Sequence, residues 1–172
     1  MVYYIIMKQL LLMRHASTIN NIVDSDRVLS PLGIKEAKKA GTFVSTINIQ
    51  KVLVSPAKRT LQTLELIGQE SKFDNIEVVN DLYYGSNNLI FDKIIQQDDD
   101  INSLMIIGHN PSIYQLAMSL AEPSSTAYEY ILKTHMPNAR IIILNFSKLL
   151  SWTALKSHKG DIYNIFTPLI NE

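Results

Sequence analysis

The sequence predicts an α/β fold of three layers, α/β/α, in which helices cover both faces of a mostly parallel sheet with an antiparallel edge. Two observations predict it. Short apolar runs alternate along the chain with segments of helical periodicity. The runs at 11–13, 52–54 and 104–107 are apolar without interruption, which is typical of strands buried on both faces of a parallel sheet. The 172 residues fit a single domain over 1–172.

The first half of the chain supplies two strand–helix units. The first strand is expected to end at Arg14, and after a polar loop Ser30 is expected to cap a helix whose first position is Pro31. The apolar face of this helix is predicted at Ile34, Ala37, Gly41 and Val44. A second strand over 51–55 leads into a helix whose apolar face is predicted at Leu61, Leu64 and Ile67.

The second half continues the alternation and then changes to β-like sequence. Further elements are predicted as a strand at 77–79, a helix at 89–95, a strand at 104–107 and a helix at 113–120. The run 139–145 is strongly β-like and is expected to pair with 151–156 as a hairpin-like edge. This pairing predicts the antiparallel part of the sheet.

Composition excludes several classes of function. Sixteen basic residues balance sixteen acidic ones, so no global field recruits nucleic acid or an anionic membrane. The absence of cysteine removes disulfides, thiolate catalysis and cysteine metal sites, and it suits a cytoplasmic protein. No apolar run reaches the length of a transmembrane helix. The apolar segment 1–13 lacks the basic start and the cleavage site of a signal peptide, and Met7 is a candidate for the true start.

Basic side chains follow three of the predicted strands, at the point where each strand ends. Arg14 and His15 follow the first strand, Arg59 opens the helix after the second, and His109 lies in a Gly-His-Asn-Pro turn after the fourth. The carboxyl ends of parallel neighbours meet at one crevice. A cation at a helix start, as at Arg59, is disfavoured unless an anion lies there. Two arginines and two histidines without a carboxylate predict a site for a dianion, and phosphate is the expected ligand.

These motifs resemble the histidine phosphatase superfamily. The matching segments read LMRHA at 12–16, SPAKRTLQT at 55–63 and GHNP at 108–111. Within the superfamily the chain is most similar to the SixA-type phosphohistidine phosphatases, through Ala16, the segment DRVLSPLG at 26–33 and the GHNP turn. The resemblance implies a phosphoglycerate mutase-like fold. It also implies that His15 is the nucleophile, that Arg14, Arg59 and His109 hold the phosphoryl group, and that no metal or other cofactor takes part.

The chain departs from two branches of that superfamily. Mutases and related phosphatases place a glutamate acid shortly after the third strand, where this chain reads DLYYG at 81–85. Acid phosphatases and phytases follow the second histidine with aspartate, where this chain has Asn110. Asp81 is an alternative acid, although nothing in the sequence requires it.

The chemistry can also be argued from the residues. A neutral imidazole at His15 would attack phosphorus and form a phosphohistidine that water hydrolyses. Arg14 and Arg59 are expected to lower the pKa of His15, while His109 donates to a phosphoryl oxygen. The lack of a strong general acid suits a substrate with a P–N bond. An imidazole leaving group departs readily, because its conjugate acid has a pKa of ~6.5.

Two further residues are candidates for substrate binding. Asn21 stands six residues after His15, where the wider superfamily often has a phosphate-binding asparagine, and its alternative role is to organise the loop. Arg27 either reaches the site or the phosphoprotein, or forms a surface ion pair with Asp24 or Asp26.

Three functions compete at this stage. The leading hypothesis is a metal-independent phosphatase acting on phosphohistidine of a signalling protein. The alternatives are a phosphatase of small phosphate esters, for which Asp81 would be the acid to test, and a non-catalytic module that binds phosphoproteins. The triplet Asp98, Asp99 and Asp100 and the histidines His135 and His158 are interpreted as having no part in the chemistry.

Overall fold

The computed structural model describes residues 7–19 and 23–170. Within them, the strands are β1 Met7–Arg14, β2 Lys51–Val54, β3 Ile76–Val78, β4 Ser103–Gly108, β5 Ile141–Ser147 and β6 Asp161–Phe166. The helices are α1 Pro31–Val44, α2 Lys58–Ile67, α3 Asp81–Tyr84, α4 Asn87–Ile95, α5 Ser112–Leu120 and α6 Thr126–Thr134. Short 3₁₀ turns occupy Asp24–Asp26 and Trp152–Ser157.

The strands form a mixed sheet in the order β3-β2-β4-β1-β5-β6. The contacts of β4 with β1 and β2, and of β2 with β3, are parallel, whereas β5 is antiparallel to both β1 and β6. The predicted α/β fold with a mostly parallel sheet and an antiparallel edge is therefore confirmed. The strands that carry the predicted site, β2, β4 and β1, are neighbours at the centre.

The sheet separates two apolar cores, and the central strand contributes to both because successive side chains point to opposite faces. Leu10 and Leu12 pack with buried side chains of α4, α5 and α6. Leu11 and Met13 pack with those of α1 and α2. All four leucine and methionine side chains are fully buried, which explains why the run has no polar alternation.

Helix α1 begins as predicted. The Ser30 hydroxyl accepts a hydrogen bond from the Gly33 amide at 3.0 Å, and Pro31 is the first helical residue. The predicted apolar faces are wrong at Ile34 and Leu61, which are exposed. In both helices the buried face is shifted toward small or polar side chains, because the helices pack closely against each other and against the site loops.

The predicted partner of the run 139–145 is wrong. Strand β5 pairs with β1 on one side and with Asp161–Phe166 on the other, and the segment predicted to pair with it forms the 3₁₀ helix Trp152–Ser157. Trp152 and Leu155 are both buried, three residues apart, and the Trp152 indole donates to the carbonyl of Ile101 at 2.7 Å. Burial at a spacing of three is helical, so this segment cannot lie flat as an alternating strand.

Other differences concern short or polar elements. Strand β3 is displaced by one residue from the predicted 77–79. Helices α3 and α6 were not predicted from the sequence, because each buries only one side chain, Leu82 and Ile131 respectively, and so has little apolar periodicity. In the described parts of the chain, the helices are too short or too polar to cross a membrane. The candidate start segment 1–6 lies outside the described residues.

Candidate active site

The sheet register brings the predicted basic residues to one edge. Arg14 pairs with Gly108 across β1 and β4, and Val54 pairs with Ile107 across β2 and β4, so the three strands end at the same level. The next residues along β1 and β4 are His15 and His109, whose ring centroids lie 5.2 Å apart. Both imidazoles are buried. The structure therefore brings together the two histidines that the sequence singled out.

The backbone of His15 is fixed on both sides. Its amide donates to the Gly108 carbonyl at 3.0 Å, and its carbonyl accepts from the Asn138 side chain at 3.0 Å and the Ala139 amide at 3.1 Å. Its Nδ1 lies 2.8 Å from the carbonyl oxygen of Ala16. Because a carbonyl only accepts, Nδ1 must carry the proton, and Nε2 keeps its lone pair. The imidazole is thus oriented as a nucleophile at Nε2.

The environment keeps His15 neutral. Burial, and to a smaller extent the charges of Arg59, Arg14 and Arg27, lower the pKa of His15 to about 4, against the hydrogen bond to Ala16. The sequence predicted that Arg14 and Arg59 lower the pKa of His15, but burial lowers this pKa more than the arginines do. A neutral imidazole at working pH is the form that can attack an electrophile.

His109 is held in the complementary state. Its Nε2 lies 2.7 Å from the Ser55 hydroxyl, and that oxygen accepts from the Ala57 amide at 3.4 Å, which leaves the hydroxyl proton for His109. Nδ1 then carries a proton and has no partner in the described structure. Burial, followed by the charge of Arg59, lowers the pKa of His109 to about 3. His109 is therefore a neutral hydrogen-bond donor with a free N–H.

Three arginines lie close to the histidines, and each has a buried Nε–H without a partner among the described residues. Arg14 donates from Nη1 to the Met136 carbonyl at 3.0 Å. Arg59 donates from Nη1 and Nη2 to Asp24, and Arg27 forms an ion pair with Asp24 at 3.4 Å. In every case Nε is buried without a partner among the described residues. Buried donors normally have a partner, so these N–H groups indicate a ligand that is a strong acceptor.

The free donors are concentrated at this site. In the described ranges 7–19 and 23–170, five buried side-chain atoms have no hydrogen-bond partner: Arg14 Nε, Arg27 Nε, Arg59 Nε, His109 Nδ1 and Ser103 Oγ. All but the serine belong to residues predicted to bind phosphate. A set of N–H donors on charged and neutral side chains matches the oxygens of a tetrahedral oxyanion.

The remaining predicted residues lie at different places. Asn21 falls outside the described residues. Arg27 forms an ion pair with Asp24 at 3.4 Å, and its charge contributes to the lowered pKa of His15, while its role in substrate binding stays a prediction. Asp81 lies at the start of α3, where its carboxylate pairs with Lys93 at 3.2 Å.

Several residues that complete the site were not predicted from the sequence. Ser55 orients His109, and Asn138 and the Met136 carbonyl hold β1 and Arg14. Tyr83 lies edge-on to His109 at 5.6 Å between ring centroids. Ser55 stands directly after a strand and could have been found by that signal. The others lie on loops and a short helix that have no periodic pattern.

The two buried histidines predict a pH-dependent stability. Unfolding returns both to an ordinary pKa of 6.5 from about 4 for His15 and about 3 for His109. The unfolded state therefore binds more protons below about pH 6.5, so stability is full above that pH and falls as the pH drops toward these lower values. We expect a loss on the order of 1 kcal/mol per histidine per pH unit.

The measurement is the free energy of unfolding in urea at about pH 7.5 and at about pH 5. At the lower pH, the unfolded state binds more protons than the folded state. The His15→Asn variant should lose less stability between the two pH values than the wild type. The matched control is His158→Asn, which makes the same substitution at an exposed histidine outside the site. Equal losses in the wild type and in His15→Asn would contradict the prediction.

The described residues of the site provide few ligands for a metal ion. Among the residues described, no group of three or more His, Cys, Asp or Glu side chains is arranged to hold one. Positive charge instead comes from guanidinium groups, which bind oxyanions directly.

Comparisons with known proteins agree on one family. The model of the histidine phosphatase superfamily (branch 1) matches residues 10–84. An uncharacterised protein of Mycobacterium tuberculosis is 34% identical over 118 residues, which cover 66% of this chain and 73% of that protein.

Solved structures extend the likeness to the whole fold. A structure assigned as the phosphohistidine phosphatase SixA of Nakamurella multipartitia has a TM-score of 0.83 and 25% identity, covering 95% of this chain and 98% of that one. The protein histidine phosphatase SixA in complex with tungstate has a TM-score of 0.75 and 22% identity, with 92% and 96% covered.

Proposed function

Because the chain belongs to the histidine phosphatase superfamily, we propose that it is a metal-independent phosphatase that acts through a covalent phosphohistidine on His15. Its preferred substrate is phosphohistidine on a signalling protein. Membership of the family and the likeness to SixA structures support a phosphatase. The residues around His15 supply the argument for the mechanism and the substrate.

The observation that carries the proposal is the set of four free N–H groups around the nucleophile. The Nε atoms of Arg14, Arg27 and Arg59 and Nδ1 of His109 are buried and unpartnered. Each would gain a charge-assisted or neutral hydrogen bond from a phosphoryl oxygen, and leaving such donors unpaired costs about 1–3 kcal/mol apiece. The SixA structure with tungstate contains a tetrahedral oxyanion of the same shape as phosphate.

In the first chemical step, His15 Nε2 forms a bond to phosphorus as the P–N bond of the substrate breaks. The electron pair of that bond stays on the leaving nitrogen, and the substrate imidazole departs neutral because its other ring nitrogen already carries a proton. The arginines and His109 stabilise the charge on the equatorial oxygens. In the second step a water oxygen bonds to phosphorus, the P–Nε2 bond breaks, and inorganic phosphate and neutral His15 are restored. The Ala16 carbonyl holds the Nδ1 proton throughout and stabilises the charge that develops on the ring.

The carboxylates near the site support a substrate with a P–N bond, that is, a phosphoramidate. Asp81, the acid considered from the sequence, is engaged with Lys93. Asp24 is in contact with Arg27 and Arg59, and the hydrogen bond from Tyr83 together with the charge of Arg59 holds the pKa of Asp24 below its usual range. An ionised carboxylate cannot donate a proton. Of the carboxylates in the described residues, these two are not placed to protonate a leaving group, which supports a leaving group that departs with little help, as imidazole does and an alkoxide does not.

The test is phosphate release from a phosphohistidine-containing protein and from an aryl phosphate, in the presence of a chelator. Rates are taken relative to a His15→Ala variant, which corrects for the spontaneous hydrolysis of phosphohistidine. We expect His15-dependent release from both, with a higher kcat/KM for phosphohistidine. Comparable or better hydrolysis of esters would redirect the substrate to small phosphate esters. No release from either would favour a module that only binds phosphate.

A further inference from the structure

Asp24 is bonded to Arg59, the arginine to which the proposed function assigns phosphate binding. Its main-chain carbonyl accepts from Arg59 Nη1 at 2.7 Å, and its carboxylate oxygen Oδ2 accepts from Arg59 Nη2 at 3.1 Å. The Arg59 side chain is buried, with 5% of its surface exposed, whereas that of Asp24 is 59% exposed. The carboxylate therefore reaches a buried guanidinium from the solvent side.

Two other side chains hold Asp24 in this place. The Tyr83 hydroxyl donates to Oδ2 at 2.7 Å, and Arg27 approaches Oδ1 at 3.4 Å. The Tyr83 ring also lies 5.6 Å from the Arg59 guanidinium carbon. We refer to Asp24 with Arg27, Arg59 and Tyr83 as the Asp24 clasp. It joins the 3₁₀ turn Asp24–Asp26, α2 and α3 beside the two histidines.

The clasp and a phosphoryl group would meet at the same Nη2 nitrogen of Arg59, whose two N–H groups can each donate one hydrogen bond. Arg59 presents a free Nε, and a bidentate contact along the side of the guanidinium uses Nε with the adjacent Nη2. Nη2 is already bonded to Asp24. A carboxylate and a phosphoryl oxygen sharing Nη2 would also repel each other as like charges. The carboxylate of Asp24 therefore opposes the binding of phosphate at Arg59, and this binding is stronger when the carboxylate withdraws.

We propose that Asp24 is an anion built into the site, which occupies Arg59 in the free protein and competes with the phosphoryl group for it. This inference rests on the proposed function, because it takes Arg59 as a phosphate ligand. The competition weakens the binding of inorganic phosphate, the product, and Asp24 returns to Arg59 as phosphate leaves. A protein-borne phosphoryl group displaces Asp24 with the help of its additional contacts outside the crevice.

The test compares the affinity for inorganic phosphate, measured by isothermal titration calorimetry, among matched variants of the full chain. Asp24→Asn removes the competing charge. Asp26→Asn removes the same charge from the same 3₁₀ turn, but Asp26 pairs with Lys58 at 2.7 Å and not with Arg59. Tyr83→Phe releases Asp24 from its hydroxyl without changing the net charge.

We expect Asp24→Asn to bind phosphate about tenfold more tightly than Asp26→Asn, a difference of about 1.4 kcal/mol. Tyr83→Phe should bind more tightly than the wild type by a smaller factor. An Asp24→Asn affinity equal to or weaker than that of Asp26→Asn would overturn the inference, and a weaker one would show that Asp24 positions Arg59 for the ligand. The Tyr83→Phe result decides the question if Asp24→Asn does not fold.

His15-dependent hydrolysis by the wild type separates this inference from the proposed function. If hydrolysis is present and the two aspartate variants bind phosphate alike, only the clasp is refuted. If hydrolysis is absent and neither the wild type nor any variant binds phosphate, the proposed function fails and the inference fails with it.

Discussion

Replacement of His15 by alanine is expected to reduce phosphate release by at least about 10³-fold, the scale seen when a nucleophile is lost. The reason is geometric. Nε2 of His15 is the free, neutral nitrogen beside four unpartnered N–H groups, and the Ala16 carbonyl holds its ring in that orientation. His109 cannot take over, because its Nε2 faces Ser55 and its Nδ1 carries a proton. The measurement is steady-state phosphate release from an aryl phosphate.

The matched control is His158→Ala, at a histidine on the surface whose Nδ1 lies 2.8 Å from the Ala154 carbonyl. This variant should keep the activity of the wild type. Rapid-quench experiments should also detect a phosphorylated enzyme in the wild type and none in His15→Ala. Retention of a tenth or more of the wild-type rate by His15→Ala would show that another group is the nucleophile.

Replacement of Gly33 by alanine is expected to destabilise the protein by about 3 kcal/mol, at the upper end of the usual cost of overpacking. A Cβ on Gly33 would lie 1.9 Å from the carbonyl oxygen of Ser17, which is backbone and cannot rotate away. The same carbonyl accepts from the Ser30 amide at 2.9 Å. The methyl group would therefore push the start of α1 away from the loop that follows His15. Urea unfolding at neutral pH measures the loss.

This displacement should also lower activity, because Glu36 in α1 accepts from the Ser17 amide at 2.7 Å and so ties the helix to the loop after the nucleophile. Gly68→Ala is the control. Gly68 has a right-handed helical backbone at the end of α2, and its nearest atom to a new Cβ lies at 3.3 Å. We expect the control to change stability by less than about 1 kcal/mol. Similar stability losses in the two variants would contradict the prediction.

The central sheet and the grouping of the histidines were predictable from the sequence. Uninterrupted apolar runs specify strands buried on both faces, and parallel strands end at the same side of a sheet. It follows that residues placed directly after such runs, as His15 and His109 are, meet even though they are distant in the chain. The cap of α1 was equally predictable, because Ser30 acts on an amide three residues away.

The edge of the sheet was not predictable in the same way. The run 139–145 has a strong β pattern, but its pattern does not state which later segment pairs with it. Burial of Trp152 against the carbonyl of Ile101 draws the nearer segment into a 3₁₀ helix, and β6 takes the edge instead. Packing of one large side chain therefore overrides local strand preference.

The sequence by itself determined the buried strands, the order of the elements and the histidines and arginines that the strand ends present. Each of these depends on local periodicity or on a residue's position next to a strand. The tertiary structure alone decided that Asp24 contacts Arg59 and Tyr83, which stand 35 and 59 residues away in the chain. Those contacts join the 3₁₀ turn Asp24–Asp26 and the short helix α3 to the start of α2, and no periodic burial fixes the directions of the Asp24 and Tyr83 side chains. Their partners are selected only when folding brings opposite charges together at one crevice.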